Sequence, residues 1–559
     1  MKTHYTSKIF CFAACFFCVF TSLFSQNTPL YRIILKDKGT SQFQIDKPQD
    51  YLSPKAILRR TNQGIAIDST DLPIDSLYLS QIEDRGGIIR SKSKWVKTVV
   101  VACVDSSVVE DIGSLPFVED IVLVWLNKSG IAEDYYFELA EDAQQDTEQD
   151  KGIIPFDSAT DIPKDINYYG TAFHQINMLQ GHYLHEAGFR GEGMTVAIID
   201  GGFGGVDKIS QLSKDRILGV KNFTHIRKHP YNWDNSHGTH VLSTMLANAP
   251  GQIVGTAPNA NYYLLSTEVT DDEFPVEEDY WIAAIEYADS IGVDVCNTSL
   301  GYTSFDIPQM NHQTAELDGH TVLISRAAGM AAQKGMLLFN AAGNEGNKLW
   351  KKISFPADAK NIVTVGSVDA QGIVSSFSSR GMSADGRVKP NLMAQGTRAA
   401  YIDRNGGLTF GNGTSIASPI LAGMGACIWQ ALPNLTNMEI IDLLHKSASQ
   451  WQYADSTYGY GIPNIYAAYS SEVPTGLSMI DKDLSKVLFF DTVSNLLYIK
   501  LNAEDLLRAR CTIYNTLGRI VLDDSQFDAA INLSFLSRGI YLVSLRVGAE
   551  RVVVKIAKA

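Results

Sequence analysis

The sequence predicts an α/β protein whose mostly parallel sheet is flanked by helices, with a small α+β domain before it and an all-β sandwich after it. Three observations lead there. From about Asp165 to Tyr469, apolar β-rich runs alternate with helical stretches, the pattern of strands buried on both faces. From Tyr31 to about Val124 the alternation is shorter and mixed. After Ser470–Gly476 helical periodicity stops, and short alternating runs with turn residues continue to Ala559. A chain of 559 residues, at about 150 per domain, has room for roughly three to four domains.

Each element has its own signal. Lys2 and Lys8 precede the uncharged apolar run Ile9 to Phe20, and small residues follow to Ser25. That layout predicts a secretory signal peptide over 1–25. The run is too short for a membrane anchor, which needs about 20 apolar residues, and too short before Cys15 for a lipoprotein signal. Residues 27–130 form the α+β domain. Tyr31–Leu35, Thr98–Val104 and Ile121–Trp125 read as strands, Ile74–Arg85 and Ser106–Ser114 as helices. Residues 131–164 read as a solvated acidic linker, with eight acids and no Lys or Arg between Glu133 and Asp150.

Residues 165–470 carry predicted strands at Thr195–Ile199, Asn261–Leu265, Val293–Cys296, Met336–Phe339 and Ile362–Val365. Helices are expected at Gln175–Ala187, Gly238–Leu246, Val276–Ser290, Ser325–Lys334, Ser415–Gln430 and Met438–Ser447. In the all-β domain, 478–559, strands are expected at Leu497–Leu501, Cys511–Tyr514, Tyr541–Val547 and Val552–Ile556.

Composition excludes several classes. The chain is 45% hydrophobic and 19% charged, so it can bury a sizeable core and is neither disordered nor collagen-like. Its net charge of −14 argues against nucleic acid and anionic membrane surfaces as partners. Cys11, Cys15 and Cys18 lie in the signal. Cys103, Cys296, Cys427 and Cys511 lack the spacing of a disulfide framework, and Cys296 and Cys427 read as core residues.

Four segments carry chemistry. Val196-Ala197-Ile198-Ile199-Asp200-Gly201-Gly202 is a buried strand ending in a carboxylate. In His237-Gly238-Thr239-His240-Val241 a histidine opens a predicted helix. Asn340-Ala341-Ala342-Gly343-Asn344-Glu345-Gly346 sets an amide in a glycine turn. Gly413-Thr414-Ser415-Ile416-Ala417-Ser418-Pro419 puts a serine at a helix start. Singly, each is a cap or turn residue. Together they supply what acyl transfer needs. A serine hydroxyl is a weak nucleophile and needs a base in contact. Histidine is that base near neutral pH, and a buried carboxylate fixes its tautomer. An amide donor meets the oxyanion.

These segments resemble the subtilisin-type serine proteases, the subtilases, over about 300 residues, in the order Asp, His, Ser. The resemblance implies that Asp200, His237 and Ser415 form a triad and that Asn344 is the side-chain oxyanion donor. It also implies a substrate cleft lined by Ser299, Leu300, Gly301, Ala341, Ala342 and Gly343, with Ser354 near the floor of the primary pocket. The Ser299–Gly301 edge would take an extended peptide by strand addition. No acid stands at Ser354, which points to a large apolar or aromatic side chain rather than a basic one.

Two positions depart from the family pattern. Gly201 stands where most subtilases carry Ser or Thr, so one hydrogen bond to the catalytic Asp must be replaced or lost. The turn Asn248-Ala249-Pro250-Gly251 has no acid, so the calcium loop of several subtilases is not carried over. No cofactor is required for the chemistry. Zinc is disfavoured: His237/His240 and His225/His229 have helix-face spacing, but Ile226 and Arg227 follow His225 where the zinc-protease motif has Glu. His229 also precedes Pro230.

The flanks fit the same reading. Subtilases commonly carry an N-terminal propeptide that assists folding and blocks the cleft, and 27–130 has that place and size. The last domain resembles the C-terminal sorting domains of the Bacteroidetes type IX secretion system. The resemblance rests on Thr512–Val521, on Leu536–Val543 and on the Val552–Lys555 strand, although the usual Asn-Pro near the start is missing. The expectation is a secreted or cell-surface serine endopeptidase acting on protein or peptide substrates. Its own propeptide and the type IX machinery would be its partners, with no stable transmembrane span. The alternative is an inactive subtilase-like binding or scaffold protein.

Overall fold

The computed structural model describes residues 28–126 and 166–472, except 227, 270 and 271. In the last domain it describes 488–491, 495–499, 509–516, 518–524, 530–547 and 550–558. The expected signal peptide and acidic linker lie outside the described residues.

The first domain is a four-stranded antiparallel sheet of β1 (Leu30–Leu35), β2 (Ile88–Ser93), β3 (Thr98–Ala102) and β4 (Val118–Trp125), in the order β2-β3-β1-β4. Three helices accompany it: α1 (Pro54–Asn62), α2 (Ser76–Asp84) and α3 (Ser106–Gly113). Asp75 and Asp105 cap α2 and α3 by accepting backbone N–H bonds, so these helices start where the caps stand. All five residues of β3 are buried because both faces are covered. Val99 and Val101 pack with Ile82 and Ile112 on their own helices. Val100 and Ala102 face the other way, onto Val276 and Tyr280 of the central domain.

The central domain is built on seven parallel strands. They are β5 (Thr195–Asp200), β6 (Ile217–Asn222), β7 (Asn261–Ser266), β8 (Val295–Thr298), β9 (Leu337–Ala341), β10 (Val363–Val368) and β11 (Leu392–Gln395). Their order is β11-β10-β9-β8-β5-β7-β6. Helices α4 (His237–Leu246), α5 (Val276–Ile291), α6 (Leu323–Gln333), α7 (Thr414–Ala431) and α8 (Asn437–Lys446) cover it. Two strands that periodicity does not reveal complete the sheet. β6 is a half-exposed edge interrupted by Gly219, and β11 is four residues long. The single helix expected over Gln175–Ala187 is two, Phe173–Asn177 and Gly181–Glu186. The chain turns at Gln180, φ 54°, and a Cβ on Gly181 would meet Met424 Sδ at 2.3 Å. Close packing on α7, not local propensity, breaks that helix.

The last unit has two antiparallel sheets. One joins Leu488–Asp491, Leu496–Ile499 and Ala530–Asn532. The other joins Ile520–Asp524, Ala509–Asn515, Gly539–Val547 and Glu550–Lys558. Leu497, Cys511, Ile513, Val543 and Leu545 form their shared core. Cys103, Cys296 and Cys427 are buried free thiols, and Cys511 is buried in the core of the last unit. Among the described residues no helix is long and apolar enough to cross a membrane.

Candidate active site

In a parallel sheet, binding sites gather at the carboxyl ends of strands where the strand order reverses. Here the chain runs from β5 to the edge strand β6, returns to β7 beside β5 and then crosses to β8 on the other side, and Asp200 is the last residue of β5. The loops after β7, β8 and β9 bring Glu268, Ser299 and Asn344 to the same edge. A cleft of about 570 Å³ opens there, lined by His237, Ser415, Asn344, Ser299 and Gly301 among others.

Asp200 is fully buried, and its Oδ1 lies 2.8 Å from His237 Nδ1. The Gly201 N–H donates to the same oxygen at 2.8 Å. Asp200 Oδ2 has no hydrogen-bond partner among the described residues, and a Cβ on Gly201 would meet Asn235 Nδ2 at 2.6 Å. Asn235 Oδ1 accepts the His237 backbone N–H at 2.9 Å and fixes the start of α4. Burial opposes protonation of His237, but the charge and hydrogen bond of Asp200 outweigh it and raise its pKa above the ordinary value.

Ser415 stands in the first turn of α7. Gly413, just before the helix, has φ +153°, and a Cβ there would meet Ser415 Oγ at 2.8 Å. The same point is 3.8 Å from Asn344 Nδ2, so hydroxyl and amide face a common space. Thr414 sets that amide's orientation. Its N–H and its Oγ1–H both donate to Asn344 Oδ1 at 3.0 Å, which turns Nδ2 toward the cleft. Thr414 Oγ1 in turn accepts the Gly343 N–H at 3.1 Å.

Pro419 has no N–H, so the carbonyl of Ser415, four residues earlier, has no helical donor. Ser299 Oγ donates to that carbonyl at 2.8 Å. Ser299 is held by Asn297 Nδ2 at 3.0 Å, and Asn297 Oδ1 accepts from Ser418 Oγ at 2.8 Å. A closed polar chain therefore joins the end of β8 to the start of α7.

Of the cleft residues expected from sequence, Ser299, Leu300, Gly301, Ala341, Gly343 and Ser354 line the cavity. Ala342 does not. It is fully buried in the apolar core, because neighbouring residues of an extended chain point to opposite faces. Thr414, Asn297 and Asn235 are functional neighbours the sequence reading leaves unassigned. The Pro four residues after Ser415 is the one signal that a side-chain donor is needed there.

His225, His229 and His240 make separate contacts. His240 packs on Tyr401, with ring centroids 4.5 Å apart. His225 packs on Trp125 and lies 2.9 Å from Tyr280 Oη, and His229 Nδ1 accepts the Tyr231 N–H at 3.2 Å.

Comparison with known proteins gives three family matches. The Subtilase family model matches residues 191–461, the Bacteroidota Peptidase S8 propeptide domain matches 30–134, and the secretion system C-terminal sorting domain matches 493–559. Subtilisin E of Bacillus subtilis is 32% identical over 301 residues, covering 52% of this chain and 70% of that protein. The serine protease AprX of the same species is 30% identical over 311 residues, covering 50% of this chain and 64% of that protein. The crystal structure of the epidermin leader peptide processing serine protease of Staphylococcus aureus shares the fold. Its TM-score is 0.54 at 16% identity, covering 82% of this chain and all of that one.

The chain belongs to the subtilase family and is a subtilisin-like serine endopeptidase with its own propeptide domain. Its type IX C-terminal sorting domain directs it to the cell surface or beyond.

Proposed function

We propose that the cleft hydrolyses peptide bonds through a covalent acyl-enzyme. His237 takes the Ser415 proton as Oγ attacks the scissile carbonyl. Asp200 holds the imidazole in the productive tautomer and stabilises the imidazolium. Asn344 Nδ2 and the Ser415 N–H receive the oxyanion, and the amino end of α7 adds a favourable field. His237 then protonates the leaving amine, and water, activated by the same base, releases the acyl group.

One observation carries this reading: the 2.8 Å Asp200–His237 contact opens into the cleft that Ser415 and the oriented Asn344 amide share. The precursor is read as a signal (1–25), a propeptide (27–130), an acidic linker (131–164) cut during maturation, a catalytic domain (165–470) and a sorting domain (478–559).

Labelling with a serine-directed fluorophosphonate tests the chemistry. The matured protein should label, and Ser415→Ala should abolish labelling and accumulate unprocessed precursor. An unlabelled matured protein would return the inactive scaffold reading.

A further inference from the structure

The chemistry leaves one wall of the cleft unused. Glu268, Glu273 and Glu277 each bring an oxygen within 4.8 Å of the others. Asp272 and Asp306 line the same cavity. Among the described lining residues the one cation is Lys348, and it pairs with Glu345 at 3.2 Å.

Glu277 is 1% exposed. The Val269 N–H donates to its Oε1 at 2.6 Å, and the Phe274 N–H to its Oε2 at 3.4 Å. Tyr302 Oη donates to Glu268 Oε1 at 2.5 Å. Burial, reinforced by mutual repulsion, pushes Glu268 up to about 7, Glu273 up to about 8 and Glu277 well above the usual carboxylate range. Such a wall is costly when empty and gains by meeting a positive charge.

A second feature of the same cavity also points to a ligand. Ser354 is 3% exposed, and its Oγ has no hydrogen-bond partner among the described residues. It sits between Gly301 and Gly343, where an added Cβ would meet it at 2.0 and 3.0 Å. The two glycines keep that hydroxyl open to the cleft. A polar group and an acidic wall at separate places in one channel suit an extended peptide better than a compact ligand.

Trp125, the last residue of β4, packs on Val269, Phe274, Val276 and Tyr280, beside the acidic wall.

We infer that this wall is a specificity subsite for a lysine or arginine borne within four residues of the scissile bond, with Glu268, Glu273 and Glu277 as its ligands. The inference rests on the proteolytic reading above. A lysine ammonium has three donors, matching three carboxylates. A calcium ion takes six to eight oxygens, and here Tyr302 and backbone N–H groups already engage several of those on offer.

The test compares matched peptides cleaved by the matured full-length protein. They differ only in lysine against the neutral isostere norleucine at each position within four residues of the scissile bond, the primary-pocket residue excepted. At one position or more, lysine should raise kcat/KM at least about tenfold, and Glu273→Gln should cut that ratio by about threefold or more. Equal rates at all these positions, or a ratio that survives Glu273→Gln, would overturn the subsite. So would tight calcium binding that Glu273→Gln abolishes and that erases the lysine preference. Cleavage of neither peptide would instead overturn the proteolytic reading.

Discussion

At the scale of single residues, hydrogen bonds that no motif states decide the site. Thr414 turns the Asn344 amide, and Ser299 replaces the donor that Pro419 removes. Ser299→Ala should therefore leave the Ser415 carbonyl unsatisfied. The expected cost is about 1–3 kcal/mol in denaturant unfolding, with a lower kcat because Ser415 loses its anchor. Asp200 makes a second prediction. It raises the His237 pKa, and only neutral His237 can accept the serine proton. Activity should therefore be present above that raised pKa and lost as pH falls through it. The acid limb of kcat/KM should lie above the ordinary histidine value of about 6.5, and Asp200→Asn should move it down as kcat collapses.

At the scale of elements, α5 matters most. Its amino-terminal part frames the acidic wall, and the rest seats the first domain. Arg32 holds Asp279 through a bidentate contact at 2.7–2.9 Å. Glu286 accepts the Trp95 N–H at 2.9 Å and the Lys94 N–H at 3.0 Å. Arg59 and Arg60 both bond Asp289, which is fully buried, and Arg60 also meets Asp71 at 2.9 Å. Removing one partner of such a network strands the others' charge. Asp289→Asn should destabilise the Ser415→Ala precursor by about 3–5 kcal/mol in denaturant unfolding. The mature form, without the two arginines, should change much less. Equal loss in both forms would show that Asp289 supports the helix and not the docking.

At the scale of the whole molecule, export and catalysis belong to separately folded units. The last unit has its own core, built from Leu497, Cys511, Ile513, Val543 and Leu545. Residues 478–559 fused to an unrelated passenger should carry it to the surface or medium of a type IX host. Retention of that fusion in the periplasm would count against a self-sufficient signal. The net charge of −14 also divides by region. Eight of the acids lie between Glu133 and Asp150 in the expected linker, so the bulk value says nothing of the cleft. The cleft has its own concentration of carboxyl groups, Glu268, Glu273 and Glu277.

The strands β5, β7, β8, β9 and β10 and the helices bearing His237 and Ser415 were legible, because buried parallel strands and long helices leave strong apolar patterns. The proposed roles of Asp200, His237, Asn344 and Ser415 were read from residue types that acyl transfer needs and from an order that the family resemblance implies. The edge strand β6, the short β11 and the break at Gln180 were not legible, since neighbours distant in sequence make them. Ala342 was assigned to the cleft from its motif, and the turn of the chain put it in the core. The carboxylates of Glu268, Glu273 and Glu277 sit in an ordinary-looking loop and helix start, and only folding brings them together. The sequence by itself determined the family, the order of its three matched regions and the proposed reacting groups, because these depend on local pattern and residue chemistry. The tertiary structure decided which way the amide faces, what holds the serine's helix and what charge the substrate meets. Those properties arise from contacts between segments far apart in the chain.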